Sequence, residues 1–243
     1  MAKITNAMPL EGERFEVDGH EAFLIEPESP AAKEAMPWLW YAPTLLPKLP
    51  DELEAWMFRR LLAAGMAIAG IDVGESYGSP AGRAGFSGLH HRLVDERGYA
   101  RRPCLLARSR GGMMHFNWAA ENPELVACIA CIYPVCDLQS FPGLERASAS
   151  YGISAQQLAT VLAQHNPIDR LAPLAEANVP IFHIHGDQDE GVPLEDNSAV
   201  VAKRYRKAGG SMTLIVCEGQ GHSGWEGYFQ CQEMIDFILA HAI

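Results

Sequence analysis

The feature that most constrains this chain is a short apolar strand that runs directly into a serine and a pair of glycines. Residues 105–112 read Leu-Leu-Ala-Arg-Ser-Arg-Gly-Gly. A serine at a sharp turn between a strand and a helix has a strained backbone, and the positions two residues away from it must be small. Ala107 and Gly111 meet this requirement, although alanine stands where glycine is usual. The pattern predicts that Ser109 projects from the end of a strand as a nucleophile elbow.

Residues 112–120, after the serine, predict a helix whose amino-terminal end would point at Ser109. A helix amino terminus favours negative charge, which develops beside a reacting serine. An ordinary strand-to-helix turn with a solvated serine fits the same residues, because patterns this short also occur by chance. Ser87 is a rival serine within Gly-Phe-Ser-Gly, but no apolar strand precedes it. Features elsewhere in the chain must decide between these interpretations.

Strand-like and helix-like stretches alternate along most of the chain. Residues 15–17 and 22–25, joined by Asp18-Gly19, predict a hairpin at an antiparallel edge. The alternation that follows predicts a mostly parallel α/β sheet with helices on both faces. Besides the strand before Ser109, the predicted strands lie at 37–41, 66–73, 126–133, 179–185 and 212–216. The predicted helices lie at 51–64, 89–94, 112–120, 194–208 and 227–240.

A chain of 243 residues, 48% of them hydrophobic, can bury one large core, and we expect a single domain over residues 1–243. No Gly/Ser linker, repeat or low-complexity tract divides it. Between residues 137 and 178 the pattern loosens, with two short helical stretches at 155–163 and 168–177, and we expect a small mobile cap over the site. The glycine-rich residues 74–82 lack the spacing of either phosphate-binding fingerprint, so no phosphate loop is expected there.

The formal net charge of −11 argues against nucleic acid as a partner, since phosphate binding needs clustered Lys and Arg. It also disfavours an anionic membrane surface, and no apolar run approaches the ~20 residues of a membrane span. Residues 1–6 lead into no signal-like apolar segment, so we expect a cytoplasmic protein, unless a leader was removed from the chain. The expected partner is a small molecule, and the sequence favours no particular oligomeric state.

The six cysteines do not suggest a metal site or a disulfide framework. Cys128 and Cys131 are spaced like a metal-binding pair, but we place both on one strand, where residues three apart face opposite sides of the sheet. Buried free thiols in a reducing compartment are the better interpretation. His183 and His185 share one face of a strand, yet no Cys or carboxylate joins them at ligand spacing. We expect hydrogen-bonded structural histidines, no metal and no cofactor.

A serine hydroxyl is a poor nucleophile at neutral pH, so Ser109 would need a histidine base and a carboxylate that orients the imidazole. Asp189 lies in a loop between a predicted strand and a predicted helix, and His222 lies in a glycine-flanked loop after the last predicted strand. Each of the three residues therefore follows a strand of one parallel sheet. Asp137 also follows a strand and is an alternative for the carboxylate, because only geometry distinguishes the two.

Four motifs follow one another along the chain: Ala107-Arg108-Ser109-Arg110-Gly111-Gly112, Asn166-Pro167-Ile168-Asp169 before Val179-Pro180, His185-Gly186-Asp187-Gln188-Asp189 with Val192-Pro193, and Gly221-His222. In these motifs, and in the order Ser109, Asp189, His222, the chain resembles the α/β-hydrolase superfamily, and within it the prolyl-oligopeptidase-like and acyl-esterase branch. The resemblance covers nearly all of the chain. It implies an α/β-hydrolase fold with a short cap insertion and these three residues as a catalytic triad. Asp189 rather than Asp187 is the implied acid, because in such families the acid falls three residues after the glycine of His-Gly.

The resemblance also implies two hydrogen-bond donors for a developing oxyanion. The backbone N–H of Arg110 is one, as the residue after the nucleophile. In these families the other donor comes from a His-Gly turn after the third strand. That turn is replaced here by Tyr41-Ala42-Pro43-Thr44, and Pro43 has no N–H. The Ala42 amide, the Thr44 amide and the Tyr41 hydroxyl are all candidates for the second donor.

The resemblance implies a serine hydrolase, and we expect a carboxylesterase that cleaves short-chain acyl esters, including carbohydrate-linked ones, through an acyl-enzyme on Ser109. For a chain of this length with a short cap we expect no second domain that would select peptides. Tyr41, Tyr77 and Trp225 lie at the predicted active edge and would line the substrate pocket. A peptidase or aminoacyl-amide hydrolase of the same fold is one alternative, and a non-catalytic binding protein that keeps the fold is another.

Overall fold

The computed structural model describes residues 9–31 and 34–242, and the strands within these ranges form one eight-stranded sheet. The strands are β1 (Glu13–Val17), β2 (His20–Ile25), β3 (Trp38–Ala42), β4 (Ala67–Ile71), β5 (Cys104–Arg108), β6 (Cys128–Ile132), β7 (Ile181–Gly186) and β8 (Met212–Cys217). Their order across the sheet is β1-β2-β4-β3-β5-β6-β7-β8. β2 pairs antiparallel with both β1 and β4, and all other neighbours are parallel. The predicted mostly parallel sheet with a hairpin at its antiparallel edge is confirmed.

Helices join the parallel strands and cover both faces of the sheet. They are α1 (Ala55–Ala63), α2 (Pro80–His91), α3 (Gly111–Glu121), α4 (Leu144–Tyr151), α5 (Ala155–Thr160), α6 (Ala172–Glu176), α7 (Ser198–Lys207), α8 (Glu226–Phe229) and α9 (Gln232–His241). A 3-10 turn at Glu52–Glu54 precedes α1, and Asp51, where the predicted helix begins, is its N-cap. The Asp51 carboxylate accepts from the Leu53 N–H at 2.9 Å, and the Glu54 carboxylate accepts from the Asp51 N–H at 2.9 Å. Each side chain therefore satisfies a backbone donor at the start of the turn.

The helix before the elbow strand begins earlier than the predicted range 89–94. α2 begins at Pro80, inside the predicted glycine-rich loop, and continues into a π-helical turn at Arg92–Glu96. Ser79 caps α2, since its hydroxyl accepts from the Gly82 N–H at 3.4 Å. Serine is favoured at a helix cap and proline at the first helical position. Ser79-Pro80 is thus a helix-start signal that the surrounding glycines obscure.

Two predicted helices are interrupted by tertiary contacts. In the range 194–208, a 3-10 turn at Leu194–Asp196 is separated from α7 by Asn197, whose side-chain oxygen accepts from the Cys136 N–H at 2.7 Å. The range 227–240 is divided into α8 and α9. The division places Phe229 beneath the Arg108 guanidinium, 5.0 Å from the ring centroid, while α9 packs on the sheet. Local helix propensity is overridden at both positions.

Alternate residues of the central strands enter two separate cores. On one face, Trp40 of β3 and Leu105 of β5 pack with side chains of α2, α3 and α7. On the other face, Leu39 and Leu106 pack with side chains of α1, α8 and α9. Burial of both faces is typical of parallel sheets. The packing on both faces holds the carboxyl ends of β3 to β8 along one edge of the sheet. The loops that carry the candidate residues begin at this edge.

The cysteines are distributed between the two cores. Cys131 packs on the face of Trp40, and Cys128 packs on the face of Leu39, so the two thiols face opposite sides of the sheet as predicted. All six cysteines are buried and free.

Two expectations about location concern different parts of the chain. Among the described residues, no helix combines the length and the apolar character that crossing a bilayer would require. The predicted absence of a signal-like segment at residues 1–6 lies outside the described residues.

The segment 137–178, predicted to be a small mobile cap, packs against the body of the domain. Ala147 and Leu158 are buried in a third, smaller core that also contains Tyr77. The Tyr151 hydroxyl donates to the Tyr77 carbonyl at 2.9 Å. These contacts dock the segment on the body of the domain, because Ala147 and Leu158 face inward. It contains α4, α5 and α6, with 3-10 turns at Leu162–Gln164 and Pro167–Asp169.

Candidate active site

Ser109 occupies a sharp turn between β5 and α3. Its φ is +51°, in the left-handed region that residues other than glycine seldom adopt. The Ser109 N–H donates to the Ile132 carbonyl at 3.0 Å, and the Ser109 carbonyl accepts from the Val135 N–H at 2.8 Å. A Cβ at Gly111 would lie 2.1 Å from the Ala42 carbonyl oxygen, so only glycine fits there. The turn therefore has the strained backbone and close packing expected of an elbow.

Three side chains from three loops meet at this edge of the sheet. Ser109 Oγ lies 2.9 Å from His222 Nε2, and His222 Nδ1 lies 2.7 Å from Asp189 Oδ2. The three residues follow β5, β8 and β7, respectively. The Asp189 carboxylate is fully buried, whereas the His222 side chain is 30% exposed. The structure thus brings together the serine, histidine and aspartate expected from the sequence, at hydrogen-bond distances.

The surroundings of Asp189 favour its ionised form. Its Oδ1 accepts from the N–H groups of Gly191 at 3.0 Å and Val192 at 2.7 Å. Its Oδ2 faces two imidazoles, since His185 Nε2 lies 3.3 Å away in addition to His222. Burial opposes ionisation, but hydrogen bonds from His185, His222 and Val192 outweigh it and hold the pKa of Asp189 below its usual range. A carboxylate held in this way can orient His222 and balance a positive charge on its ring.

Neither rival residue contacts this cluster. Ser87 lies in α2, where its hydroxyl accepts from the Trp118 indole N–H at 3.1 Å. Asp137 follows β6, and its carboxylate accepts from the Asn166 side-chain amide at 2.9 Å. Both side chains form hydrogen bonds elsewhere, and the carboxylate that faces His222 is that of Asp189.

A cavity of about 900 Å³ opens in front of Ser109. No residue of the segment 137–178 lines it, so that segment leaves the opening uncovered. The loop after β3 supplies one wall of the cavity instead. The aliphatic side chains of this wall are Pro43, Leu45, Leu46 and Leu49, and Lys48 lies in the same loop.

The charged side chains that line the cavity include equal numbers of carboxylates and cations. Glu75 is paired with Arg110, and Asp51 is paired with Arg108 at 3.1 Å. The Asp72 carboxylate accepts from two backbone amides, at 2.7 and 2.9 Å. The cavity therefore presents little net charge to a ligand. Its three carboxylates are Asp51, Asp72 and Glu75, and its three cations are Lys48, Arg108 and Arg110.

Arg108, directly before Ser109, belongs to a buried ionic cluster that sequence analysis missed. Arg108 Nη1 lies 3.0 Å from Glu54 Oε1 and 3.1 Å from Asp51 Oδ2. The Glu54 carboxylate is fully buried and also accepts from the Tyr41 hydroxyl at 2.9 Å. Burial raises the pKa of Glu54, and the Arg108 charge partly offsets the increase. A charged residue at the end of an apolar strand is the one sequence signal that could have pointed to this cluster.

Tyr133 is a second residue that sequence analysis did not assign to the site. Its ring centroid lies 4.3 Å from that of His222 and 5.0 Å from that of Tyr228. Burial raises the pKa of Tyr133 to about 12, so its phenol is neutral around neutral pH. Tyr133 supports one face of the His222 ring. The sequence signal that could have indicated this position is that Tyr133 directly precedes a proline at the carboxyl end of a central strand.

The three aromatic residues predicted to line the substrate pocket do not line this cavity. Tyr41 is 1% exposed, and its hydroxyl donates to Glu54, because alternation along β3 turns it toward α1. Tyr77 is 3% exposed and packs with Ala147 of α4. Trp225 is 41% exposed and comes directly after the cavity lining. The prediction placed these residues at the correct edge of the sheet, but it did not account for side-chain direction.

The candidates for oxyanion donors have different surroundings. The Tyr41 hydroxyl is already engaged as a donor, so it does not point into the cavity. Ala42 is the last residue of β3 and pairs with β5, whereas Thr44 lies beyond Pro43 and is 2% exposed. Arg110 directly precedes α3, at the helix end whose N–H groups lack intrahelical acceptors.

The histidines on β7 have the hydrogen-bonded role predicted for them. His183 Nδ1 and His185 Nδ1 lie 2.9 and 2.8 Å from the Ser198 hydroxyl oxygen. Within residues 9–31 and 34–242, no three His, Cys, Asp or Glu side chains are grouped as metal ligands would be.

The model of the prolyl oligopeptidase family matches residues 92–242, a range that contains Ser109, Asp189 and His222. No curated protein sequence matches the chain at a significant level. Among solved structures, a puromycin-hydrolyzing peptidase from Mycobacterium tuberculosis has a TM-score of 0.76 and 16% identity, over 100% of this chain and 42% of that one. Est1E from Butyrivibrio proteoclasticus has a TM-score of 0.67 and 15% identity, over 95% of this chain and 98% of that one. A thermostable esterase has a TM-score of 0.70 and 16% identity, over 96% of this chain and 63% of that one.

These structural likenesses confirm the α/β-hydrolase fold expected from the sequence. At 15–16% identity they concern the fold alone. The chain spans 42% of the length of the Mycobacterium tuberculosis peptidase, and nearly the whole length of Est1E.

Proposed function

The chain belongs to the prolyl oligopeptidase family of serine hydrolases, and from this premise we propose that it cleaves short-chain carboxylic esters through an acyl-enzyme on Ser109. The observation that carries the proposal is the hydrogen-bonded path from Ser109 Oγ through His222 to Asp189. Ser109 is the nucleophile, His222 the general base and acid, and Asp189 the carboxylate that orients the imidazole.

Two half-reactions follow from this arrangement. Ser109 Oγ attacks the acyl carbonyl carbon while His222 Nε2 takes the hydroxyl proton, and the carbonyl electron pair moves onto oxygen. When the tetrahedral adduct collapses, the bond to the alcohol oxygen breaks and His222 returns the proton to that oxygen. Water then attacks the acyl-enzyme by the same steps, which release the acid and restore Ser109. Asp189 stays ionised throughout, as its lowered pKa favours.

We propose the Arg110 and Thr44 amides as the two donors to the oxyanion. Arg110 follows the nucleophile at the start of α3, where helix N–H groups are free of intrahelical acceptors. In the loop after β3, Pro43 has no N–H. The next two amides beyond Thr44 are already bound, to the Leu49 carbonyl at 3.1 Å and to the Asp72 carboxylate at 2.7 Å. These contacts favour Thr44 within the loop.

The cavity supports a neutral ester with a short acyl group. Its aliphatic side chains offer apolar surface beside Ser109, and its charged side chains other than Lys48 are paired with one another or with backbone amides. A substrate ammonium would have to break one of these pairs to be bound, and a substrate carboxylate would have only the exposed Lys48 as a free partner. An uncharged acyl group needs only the aliphatic wall.

Stoichiometric labelling by a fluorophosphonate tests the serine hydrolase assignment directly. These reagents phosphonylate a serine only when its hydroxyl is activated, so native protein should be labelled, and peptide mapping should place the label on Ser109. Ser109→Ala is the matched control and should take up no label. A native protein that stays unlabelled would favour a non-catalytic binding protein with this fold.

Acetyl and butyryl p-nitrophenyl esters should exceed decanoyl and longer esters in kcat/KM. Each added methylene contributes up to ~0.8 kcal/mol only while it finds apolar surface, and the aliphatic wall is short and open to solvent. The trend should therefore turn over within the series. An uninterrupted rise to palmitoyl esters would contradict this prediction and indicate a long apolar tunnel.

Leu49→Ala tests whether the aliphatic wall sets this preference. It should lower the ratio of butyryl to acetyl kcat/KM, because it removes part of the surface that the longer chain would contact. Leu62→Ala is the matched control, since Leu62 is also partly buried but lines a different cavity. Equal ratios in the two variants would show that the acyl chain binds elsewhere.

Hydrolysis of peptides or aminoacyl amides is the second candidate function. It is favoured by the family match and by the structural likeness to the puromycin-hydrolyzing peptidase. Comparing kcat/KM for p-nitrophenyl butyrate with that for aminoacyl p-nitroanilides distinguishes the two. A preference for an anilide would replace the ester proposal while keeping Ser109 as nucleophile.

The pH dependence of kcat/KM should show a single ionisation on its acid side. His222 must be neutral to accept the serine proton, so activity should fall as the pH is lowered. Because the pKa of Asp189 is held below its usual range, that carboxylate stays charged through mildly acidic pH. A plot of log kcat/KM against pH should therefore have a limiting slope of about one. A slope of about two would show that a second essential group takes up a proton there.

A further inference from the structure

A buried network of polar side chains extends from Asp189 away from the cavity. His185 Nε2 lies 2.8 Å from the Val192 carbonyl oxygen and 3.3 Å from Asp189 Oδ2. His185 Nδ1 lies 2.8 Å from Ser198 Oγ, and His183 Nδ1 lies 2.9 Å from the same oxygen. His183 Nε2 is buried with no hydrogen-bond partner among the described atoms. The ester hydrolysis proposed above uses none of His183, His185 and Ser198.

With neutral rings, this geometry admits one placement of the hydrogens. His185 Nε2 faces a carbonyl and a carboxylate, both acceptors, so it carries the ring hydrogen. His185 Nδ1 is then an acceptor and takes the single hydroxyl hydrogen of Ser198. The Ser198 oxygen must in turn accept from His183 Nδ1, which leaves His183 Nε2 bare. Burial lowers the pKa of His183 to about 3, which keeps that ring neutral.

We propose that His185 is a positioning residue for the reaction and that Ser198 and His183 fix the tautomer in which it acts. The proposal rests on the proposed function, because His185 acts through Asp189. The His185 Nε2–H binds the carbonyl of Val192, whose N–H binds Asp189 Oδ1, and Nε2 also lies 3.3 Å from the carboxylate oxygen that His222 contacts. His185 therefore holds Asp189 both directly and through its loop, without touching substrate.

The His185 N–H, 3.3 Å from Oδ2, also moderates how strongly Asp189 attracts a proton to His222. Removal of the His185 N–H should concentrate negative charge on the His222 side, which favours the imidazolium. The acid limb of the pH profile should then move to higher pH. A role limited to filling space would leave that limb in place.

The other titratable and charged groups at this position do not produce the same change. The Tyr133 ring packs on His222, and its phenol is neutral because burial raises its pKa to about 12. Burial also raises the pKa of Tyr228, beside the acid loop. The Asp187 carboxylate accepts from the Gly219 N–H at 2.7 Å and lies on the solvent side of that loop. Arg108 is paired with carboxylates.

The tautomers can be read directly in the native protein by ¹⁵N NMR of the histidine rings, which separates protonated from bare ring nitrogens. We expect hydrogen on His185 Nε2 and on His183 Nδ1, with the other nitrogen of each ring bare. In Ser198→Ala, both rings should lose this single assignment. A protonated His185 Nδ1, or an imidazolium at His185, would overturn the proposal whatever the activity of the protein.

Three variants test the role of this side-chain network. The quantity measured is the second-order rate of fluorophosphonate labelling as a function of pH. His185→Leu removes the donor and should lower the rate about 10- to 100-fold, as losses of such supporting partners do. It should also raise the acid limb by about half a pH unit. His185→Gln keeps an N–H near the position of Nε2 and should stay within about threefold of native. Ser198→Ala should fall between them, and Ser87→Ala, which removes a hydrogen-bonded hydroxyl outside this network, should match native.

The outcomes separate this proposal from the function it rests on. Labelling of the native protein at Ser109, with an unchanged rate and pH profile in both His185→Leu and Ser198→Ala, would overturn the positioning role alone. Absence of labelling in the native protein would overturn the proposed function and this role with it. If His185→Leu does not fold, Ser198→Ala and the ring spectra of the native protein decide the question.

Discussion

Ser109→Ala should lower kcat/KM for a short-chain ester by a factor of about 10³ or more, because it removes the atom that forms the acyl bond. The free energy of unfolding should stay near that of the native protein. The hydroxyl contacts His222 at the cavity and supports no buried group, and alanine carries the same strain at a φ of +51° as serine does. The change is measured by steady-state kinetics on p-nitrophenyl butyrate, with thermal unfolding of the same samples.

Two further variants make this result specific. His222→Ala should cost a similar factor, and the double variant should cost little more than either single one, because the two residues act as a unit. Ser87→Ala should keep near-native turnover, since its hydroxyl bonds to Trp118 in the core. Loss of activity in Ser87→Ala, with retention in Ser109→Ala, would move the nucleophile to α2.

Arg108→Met should lower the free energy of unfolding by about 3–5 kcal/mol, the usual cost of leaving one partner of a buried ion pair uncompensated. The Glu54 carboxylate is fully buried and would keep only the Tyr41 hydroxyl and the Asp51 N–H as donors. Methionine preserves the side-chain stem that packs over Phe229. Urea unfolding monitored by tryptophan fluorescence measures the loss. Arg92→Met is the matched control, because Arg92 pairs with Glu96 at 3.1 Å on the surface, and it should cost at most about 1 kcal/mol.

The sign of the pH dependence tests the cause of that loss. Burial already raises the pKa of Glu54, and removal of the opposing Arg108 charge should raise it further. The folded state then binds a proton that the unfolded state has released, so the stability of Arg108→Met should rise as the pH falls through the folded-state pKa of Glu54. The double variant Glu54→Gln/Arg108→Met should recover much of the loss at neutral pH. A deficit that neither acid nor Glu54→Gln relieves would mean that the cluster is not its source.

The features that could be predicted from the sequence are those specified locally or by order along the chain. The apolar strand before Ser109 and the small residues around it follow from the sterics of one turn. The loops of Asp189 and His222 each come directly after a strand, and in a parallel sheet such loops share an edge. Their convergence therefore needed no knowledge of side-chain packing.

The errors arose where side-chain direction depends on distant packing. Tyr77 lies at the correct edge, but a φ of +47° and contacts with the segment 137–178 place its ring in the third core. The small residues of that segment suggested a mobile cover, whereas Ala147 is buried in the third core. Glu54 reads as part of an exposed helix start and is 1% exposed instead, because Arg108 arrives from a strand far along the chain. Long-range pairing of this kind leaves no periodic trace in a sequence.

The contact between Gly111 and the Ala42 carbonyl has a consequence for how the site keeps its dimensions. Ala42 leads into the loop of the Thr44 amide, and Gly111 follows the Arg110 amide, so the two proposed oxyanion donors are joined across a backbone-to-backbone contact. The separation between the two amides is therefore set by the van der Waals radii of main-chain atoms. Changes in cavity side chains can alter which acyl groups fit without altering that separation. A substitution at Gly111 would widen it for every substrate alike.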